Sequence, residues 1–463
     1  MRKNDLKISI IMPSLNVASY IGECLKSVTN QTVEDVEILC IDAGSTDGTL
    51  DIIKEYVQKD DRIQLIMSDI KSYGYQVNIG IKSANGEYIA IVETDDYISN
   101  DALESMYALA QKEDADYVKA DFSMFIKEGE RNISLPMELE KNYNIEYGGP
   151  FETKDFLNYR VEVDPFIWNA IYKSSFLKKC VKLNESKGAA FQDCGFRYQV
   201  ALNVKRGYYL NKQYYFYRRD NAGSSMYDDR GFMFNMDECR FLAEKYDLDN
   251  IRDHDLKSFL VERFISTLLI SFKTQVGIHA HDKQNIELLQ KLHDMIETYL
   301  DNGMLDLQRI PESLKDDLNL LINDMARYES YIYELAQEKI LTRKKFAERV
   351  NAFNSLIIFG AGKSGIAAYF YIVRNSLPKV VAVCDNNTEK WGKTFYSTVV
   401  TDPKEIIEKE NQAGIVIASM KYSDQIYKQL IDLGIPDKRI ITYECGDSSF
   451  ECTELAFQRT DER

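Results

Sequence analysis

The stretch IAIVETDDYISND, residues 89–101, joins a short apolar run to a group of carboxylates. The apolar run predicts a buried strand, and the acidic residues follow where that strand would end. Carboxylates in such a place need solvent, a helix end or a cation. The neighbouring sequence indicates what surrounds them.

Strand-like and helix-like segments alternate over the first hundred residues. Strand-like composition is found in KISIIMPS, VEILCIDAGS and RIQLIMS, and apolar residues recur at helical spacing in YIGECLKSVTNQ, TLDIIKEYVQK and GYQVNIGIKSAN. This alternation predicts a mostly parallel sheet with helices on both faces. Ligands of such sheets bind at the carboxyl ends of the strands. We therefore expect Pro13, Ser14, Asp42 and the acidic stretch Glu93–Asp96 to share one edge of the sheet.

The chain is long enough for more than one core, because it has 463 residues and single cores rarely exceed about 300. A helical pattern follows the first sheet, and strand–helix alternation resumes near residue 355. We predict an α/β protein with four parts: a sheet domain (1–225), a helical region (226–350), a smaller α/β domain (351–446) and a tail (447–463).

Composition excludes several classes of partner. The net charge of −16 argues against general binding to nucleic acid or to an anionic membrane surface, since both need a basic face. The sequence shows no signal peptide and no transmembrane segment. The eight cysteines have neither CxxC pairs nor histidines at metal-ligand spacing, which indicates reduced thiols in a cytoplasmic protein. Peripheral membrane association would need a local patch, and the helical region offers surfaces for a homo-oligomer.

The acidic group in ETDD suits a divalent cation. Mg²⁺ and Mn²⁺ prefer oxygen ligands, and Mg²⁺ is usually held by one or two carboxylates together with substrate phosphates. Asp95 and Asp96 can supply such ligands. The alternative is that Asp95, Asp96 and Asp101 cap the helix that begins near Ala102 and face water.

Other polar residues are each open to two interpretations. Asp42, in IDAGSTDGT, can accept a hydrogen bond from a ligand such as a base N–H, or can belong to an ordinary turn. Pro13, Ser14 and Asn16 follow the first strand and carry the same alternatives. Asp193, in GAAFQDCGF, lies between two phenylalanines, where it can act as a general base or begin a helix.

In their order and spacing these motifs resemble those of the family 2 glycosyltransferases of the GT-A fold. That family shows a strand ending in Pro, a DDGS-TD turn, a D-x-D-D signature and an ED or QD base motif. The counterparts here are IIMPSLN, IDAGSTDGT, ETDDYI and FQDCGF, within about residues 6–225. Three positions depart from the family pattern: Ala43 replaces the second Asp of DDGS, Glu93 replaces the first acid of the signature, and Val77 stands where many relatives carry Arg.

The resemblance implies metal-dependent transfer of a hexosyl or N-acetylhexosaminyl group, with inversion, from a nucleotide-sugar donor to a glycan or a lipid-linked acceptor. UDP is the nucleotide that it implies, and Mn²⁺ or Mg²⁺ is the cofactor. The implied roles are a nucleotide pocket at Pro13, Ser14, Asn16 and Asp42, a position near ribose and the metal for Asp95, metal ligation by Asp96, and base catalysis by Asp193.

Two further predictions concern the substrates. Trp168, in DPFIWNAIYK, falls where such enzymes often place an aromatic residue for the acceptor, and a core anchor is the alternative. Arg218, with Ser224 and Ser225, can close over the diphosphate through charge-assisted hydrogen bonds, and a solvated basic pair on a loop is the alternative.

The C-terminal unit raises a different enzyme class. The segment IIFGAGKSGIA places Gly360, Gly362 and Gly365 after a strand, and Asp385 ends the next strand, as a dinucleotide fingerprint requires. This pattern is typical of an NAD-dependent oxidoreductase or epimerase. Because the unit has no Tyr-x-x-x-Lys set, we interpret it as a Rossmann-like domain for packing or partner binding. A non-catalytic scaffold built on an inactive transferase domain is the third alternative.

Overall fold

The structure is a computed structural model that describes residues 6–140, 145–158, 160–189, 191–221, 230–278, 283–310, 312–396, 398–419 and 421–444. The chain divides into two compact units, Met1–Met124 with Pro136–Glu329 and Phe125–Leu135 with Ser330–Arg463. The predicted α/β fold class is confirmed. None of the described helices is both long enough and apolar enough to cross a membrane.

The N-terminal part of the large sheet consists of parallel strands joined by helices. In chain order these are β1 (Ile8–Ser14), α1 (Ile21–Thr29), β2 (Val36–Asp42), α2 (Thr49–Lys59), β3 (Ile63–Met67), α3 (Tyr73–Ser83) and β4 (Tyr88–Ile91). The strand order is β3-β2-β1-β4, with β1 between β2 and β4. Every residue of β1, β2 and β4 is buried, as expected of parallel strands covered on both faces.

The sheet continues beyond β4 with antiparallel strands, in the order β4-β9-β6-β10-β5. The elements of this part are β5 (Tyr97–Ile98), α4 (Ala102–Glu113), β6 (Tyr117–Glu128), β7 (Arg131–Met137), β8 (Gly148–Phe151), α5 (Thr153–Leu157), β9 (Ala170–Lys173), α6 (Ser174–Cys180), α7 (Gln192–Ala201) and β10 (Gly207–Arg218). The strand β10 is rich in aromatic residues. Its pairing with β5 brings its last residues beside the acidic stretch.

The helical region follows β10. Its helices are α8 (Gly231–Lys245), α9 (His254–Ile278), α10 (Lys283–Asp301), α11 (Glu312–Asn323) and α12 (Met325–Val350). We expected residues 226–350 to form a part of their own, whereas the chain through Glu329 belongs to the first compact unit. The physical reason is that α8 packs directly against α7, and α9 packs against α8.

The second unit contains a six-stranded sheet in the order β13-β14-β12-β11-β15-β16. Its elements are β11 (Ser355–Phe359), α13 (Lys363–Arg374), β12 (Lys379–Cys384), β13 (Thr394–Phe395), β14 (Thr398–Thr401), α14 (Pro403–Lys409), β15 (Gly414–Ile417), α15 (Ser423–Asp432) and β16 (Ile440–Thr442). The strands β11, β12 and β15 run parallel, and their aliphatic side chains form a separate core.

The glycine-rich turn after β11 is tightly packed. A Cβ on Gly365 would lie 1.8 Å from the carbonyl oxygen of Gly360, so only glycine fits there. The carboxylate of Asp385 accepts hydrogen bonds from the backbone N–H of Ala361 (2.7 Å) and from Lys390 Nζ (2.8 Å). Asp385, the residue that would bind ribose in a dinucleotide fingerprint, is therefore hydrogen-bonded to the glycine-rich turn that follows β11.

Candidate active site

Asp42 lies at the end of β2, beneath the turn that follows it. Its Oδ1 accepts hydrogen bonds from the backbone N–H groups of Gly44 (2.9 Å) and Ser45 (2.7 Å), and its Oδ2 accepts from the hydroxyls of Ser14 (2.8 Å) and Ser45 (2.7 Å). The residue is 0% exposed. The carboxylate of Asp42 therefore orders the turn from beneath, and its contact with a nucleobase stays a prediction.

Asn16 is the exposed residue among the predicted pocket residues of the first loop, whereas Pro13 and Ser14 are buried. Its backbone is left-handed, with φ 55°. Its N–H donates to Ser45 Oγ (2.8 Å), and its Oδ1 accepts from the N–H of Thr46 (2.9 Å). These contacts join the two loops that follow β1 and β2. The exposed side of Asn16 therefore lies on loops that are held together by hydrogen bonds.

Asp96 lies beneath the acidic turn. Its Oδ2 accepts a hydrogen bond from the Tyr215 hydroxyl (2.7 Å), and its Oδ1 accepts from the backbone N–H of Arg218 (2.7 Å). It is 1% exposed, and burial raises its pKa well above the ordinary range of a carboxyl. Each carboxylate oxygen has two lone pairs, so these hydrogen bonds hold Asp96 in place and leave room for a further partner. Its hydrogen bonds give Asp96 a structural role, and its assignment as the metal ligand stays a prediction.

Glu93 and Asp95 are the carboxylates of the turn that remain partly exposed. Glu93 accepts a hydrogen bond from the Tyr73 hydroxyl, and Asp95 accepts one from Asn221 Nδ2 (2.8 Å). Burial raises the pKa of Glu93 to about 8, and the charges of Asp95 and Asp193 add to this effect. Burial also raises the pKa of Asp95. Neighbouring carboxylates that disfavour each other's ionisation are stabilised by a cation, so this pair fits a divalent metal.

Other ligands would have to complete such a metal site. Among the described residues, a group of three or more acidic, histidine or cysteine side chains within metal-binding reach of one another occurs only at His293, Asp294 and Glu297, on α10. The acidic turn thus offers fewer than three closely spaced ligands. Mg²⁺ is usually bound by one or two carboxylates and takes its remaining ligands from phosphate and water, so a metal at this turn would need those further ligands.

Arg218 ends β10 and is held firmly by its neighbours. Its Nε donates to the carbonyl oxygen of Asp95 (2.7 Å), and its guanidinium pairs with Glu23 and with Asp220 (3.2 Å). The guanidinium also lies over the ring of Tyr20, 4.9 Å from its centroid. The side chain is 3% exposed. Arg218 therefore holds the acidic turn in place, and its contact with a diphosphate stays a prediction.

Trp168 is part of an aromatic cluster. Its ring stacks on Tyr215 with centroids 4.1 Å apart and meets Phe122 edge to face at 5.1 Å. It is 8% exposed. This packing matches the alternative of a core anchor, and stacking on an acceptor sugar stays a prediction. Ser224, predicted to act with Arg218 on the substrate, lies outside the described residues.

Asp193 lies in the first turn of α7 and is partly exposed. Phe191, directly before the helix, has a left-handed backbone with φ 57°. The Oδ1 of Asp193 accepts a hydrogen bond from the N–H of Cys194 (2.9 Å). Burial raises the pKa of Asp193, and the charge of Arg197 opposes this shift. A carboxylate with a raised pKa is a suitable proton acceptor, and the assignment of Asp193 as catalytic base stays a prediction.

Helix α3 connects these groups, a role that the motifs did not reveal. Gln76 donates through Nε2 to the carbonyl oxygens of Ser14 (2.9 Å) and Ile41 (2.6 Å), at the ends of β1 and β2. It is buried although glutamine is usually exposed, so sequence patterns carry no signal for it.

The chain is similar to two family models and to several known proteins. Residues 9–181 match the family model described as Glycosyl transferase family 2, and residues 353–441 match the model C2185-like, N-terminal. Glycosyltransferase GlyG of Streptococcus pneumoniae is 27% identical over 277 residues, which are 59% of this chain and 89% of that protein. The poly(ribitol-phosphate) beta-glucosyltransferase of Bacillus spizizenii is 42% identical over 115 residues, which are 24% of this chain and 18% of that protein.

Solved structures show the same fold. The crystal structure of S. aureus TarS 1-349 has a TM-score of 0.54 at 19% identity and covers 73% of this chain and 92% of that chain. Its complex with UDP-GlcNAc has a TM-score of 0.52. The match of the second unit does not establish the predicted Rossmann-like assignment. Residues 9–181 are therefore similar to the glycosyltransferase family 2 model, and the large sheet has the fold of these GT-A structures.

Proposed function

We propose that the protein is a metal-dependent, inverting glycosyltransferase that moves a sugar from a UDP-sugar to a hydroxyl of a glycan or lipid-linked acceptor. The observation that carries this proposal is the link that Tyr73 makes between two acidic motifs, since its hydroxyl donates to Glu93 and its backbone N–H donates to the carbonyl oxygen of Gly188, five residues before Asp193. Glu93 itself follows β4, one of the parallel strands, at the edge of the sheet where ligands bind.

The donor is supported by the fold and by the relatives. TarS, which has this fold, has been crystallised with UDP and with UDP-GlcNAc. In this chain the loops after β1 and β2 would receive the nucleotide, with Asn16 at their exposed edge. Pro13, Ser14 and Asp42 would shape that pocket from beneath, through the turn that Asp42 orders.

Glu93 and Asp95 would hold Mg²⁺ or Mn²⁺ between them and the donor diphosphate. The ion, when bound, neutralises the negative charge that builds on the leaving diphosphate. Asp96, Tyr215 and Arg218 would keep the acidic turn in place by the hydrogen bonds described above.

Asp193 would act as the base. The acceptor oxygen forms a bond to the anomeric carbon, its proton passes to the Asp193 carboxylate, and the bond from that carbon to the diphosphate oxygen breaks with its electron pair on the diphosphate. A single displacement from the opposite face inverts the anomeric configuration. The raised pKa of Asp193 favours acceptance of this proton.

One relative supports a class of acceptor. The Bacillus spizizenii protein is named for transfer to poly(ribitol phosphate), although this chain spans only 18% of its length. That relationship supports a hydroxyl-rich polymer of the cell envelope as the acceptor.

A thermal-shift panel of UDP, GDP, CMP and NAD⁺, each with Mn²⁺ and with chelator, tests the proposal. We expect UDP with Mn²⁺ to raise the unfolding temperature, because a ligand at 100 times its Kd stabilises the native state by about 2.7 kcal/mol. Chelator should remove the effect. A rise in unfolding temperature with NAD⁺ alone would indicate that the second unit is the catalytic one. No rise with any of the four nucleotides would favour a non-catalytic scaffold.

The base is tested by Asp193→Asn, with Asp101→Asn as the control at an exposed acid of a helix start. Asp193→Asn should lower the rate of sugar transfer about 10²- to 10⁴-fold and leave the shift by UDP and Mn²⁺ intact. Asp101→Asn should change neither. A wild-type rate in Asp193→Asn would exclude it as the base.

A further inference from the structure

Helix α3 is bound along one face to the segment that leads into Asp193. Asn78 pairs with the backbone of Leu183 twice, since its Oδ1 accepts from the N–H (3.0 Å) and its Nδ2 donates to the carbonyl oxygen (2.9 Å). A Cβ on Gly74 would lie 1.9 Å from the carbonyl oxygen of Asn184. The helix and the segment are therefore in direct backbone contact at Gly74.

Tyr73, the first residue of α3, continues this contact. Its N–H donates to the carbonyl oxygen of Gly188 (3.0 Å), and the N–H of Gly188 donates to the carbonyl oxygen of Lys71 (2.8 Å). These two bonds extend the junction to within five residues of Asp193.

The side chain of Tyr73 makes a contact of a different kind. Its hydroxyl donates a hydrogen bond to Oε1 of Glu93, in the acidic turn. One residue thus bonds through its backbone to the segment that presents the candidate base and through its side chain to a candidate metal ligand.

We propose that Tyr73 is a positioning residue that orients the Glu93 carboxylate for the divalent cation and ties the acidic turn to the segment carrying Asp193. This inference rests on the proposed function. A carboxylate with one oxygen fixed by a donor loses less rotamer freedom when its other oxygen binds a metal. Removing such an outer partner commonly weakens metal binding about 10- to 100-fold.

The alternative is that Tyr73 only fills space. Phenylalanine would fill the same space and keep the backbone bonds, so Tyr73→Phe removes the hydroxyl alone. Tyr107 provides a matched control, because its hydroxyl donates to a carboxylate, Glu87 (2.9 Å), in a partly exposed pair outside the acidic turn.

Calorimetric titration of Mn²⁺ into the full-length protein in the presence of UDP tests the proposal. We expect Tyr73→Phe to raise the Kd for Mn²⁺ about 10- to 100-fold and Tyr107→Phe to leave it unchanged. In a Glu93→Gln background, Tyr73→Phe should have no further effect on the Kd, because the hydroxyl would act through Glu93. An independent effect in that background would contradict the proposal.

Other results would overturn it in distinct ways. A wild-type Kd in Tyr73→Phe, or equal weakening by Tyr107→Phe, refutes the positioning role while the proposed function stands. Failure of Tyr73→Phe to fold, judged by circular dichroism and thermal unfolding, would show that the hydroxyl is structural. If the wild-type protein binds no Mn²⁺ with UDP, the proposed function fails as well.

Discussion

Asp95 and Asp96 are adjacent carboxylates of the acidic turn, but they have different hydrogen-bond partners and different exposure. Asp96 points inward to Tyr215 and to the N–H of Arg218, whereas Asp95 stays partly exposed beside Asn221. Tyr215 lies 119 residues after Asp96, so the choice between the two acids depends on a strand distant in the chain. Sequence reasoning assigned Asp96 to the metal and Asp95 to a position near ribose and the metal, and it could not reveal the distant partners that bury Asp96.

The substitution Asp96→Asn tests this separation. Both partners of Asp96 donate hydrogen bonds, and the amide of asparagine has one acceptor oxygen, so one buried donor would lose its partner. We expect the free energy of unfolding to fall by about 1–3 kcal/mol, measured by urea denaturation.

Asp95→Asn is the control for this substitution, because its partner Asn221 can donate to an amide oxygen as well as to a carboxylate. We expect Asp95→Asn to weaken Mn²⁺ binding and to have little effect on unfolding. Equal destabilisation by the two substitutions would contradict the structural role of Asp96.

Among the elements, α3 and β10 organise the site from opposite sides. α3 binds the ends of β1 and β2 through Gln76 and the segment before α7 through Asn78. β10 holds the acidic turn through Tyr215 and Arg218. Helical periodicity predicted α3, but the groups that it binds are distributed over three other parts of the chain.

The substitution Gly74→Ala tests the contact between α3 and the segment of residues 183–188. The added Cβ would lie 1.9 Å from a backbone oxygen, so helix and segment would have to separate. We expect a loss of about 1–3 kcal/mol in the free energy of unfolding and weaker sugar transfer.

Gly22→Ala, on α1, is the matched control, since nothing lies within 4 Å of a Cβ built there. Helix propensity alone should then stabilise the protein by up to about 1 kcal/mol. Urea denaturation of both variants gives the comparison, and a stable Gly74→Ala protein with normal transfer would remove α3 from this role.

At the scale of the whole molecule, the two compact units each contain their own sheet. The acids of the candidate site all belong to the first unit, and the glycine-rich turn belongs to the second. Asp385 of the second unit accepts hydrogen bonds from the N–H of Ala361 and from Lys390 Nζ, so a dinucleotide ribose would have to share that carboxylate with donors of the chain.

Hydrogen–deuterium exchange of the full chain, with UDP and Mn²⁺, distinguishes the two units. A ligand that binds the native site raises the free energy of local opening around it. We expect slower amide exchange in the loops after β1, β2 and β4 and unchanged exchange in β11, β12 and β15. Protection confined to the second unit would contradict the proposed function.

The sequence by itself determined the class of fold and the edge of the sheet at which the polar motifs lie. Periodicity is a local property, so it located α2 at residues 49–59 and the strands β1, β2 and β3 to within one or two residues. The order of the motifs also indicated the similarity to glycosyltransferase family 2 that residues 9–181 show.

Only the tertiary structure decided how the side chains of those motifs are bonded. Arg218 pairs with Glu23, 195 residues away, and Trp168 packs on Tyr215. The carboxylates of Asp42 and Asp96 likewise accept hydrogen bonds from donors of the chain. Burial and hydrogen-bond partners are set by contacts between distant segments, which the local pattern of a sequence does not record.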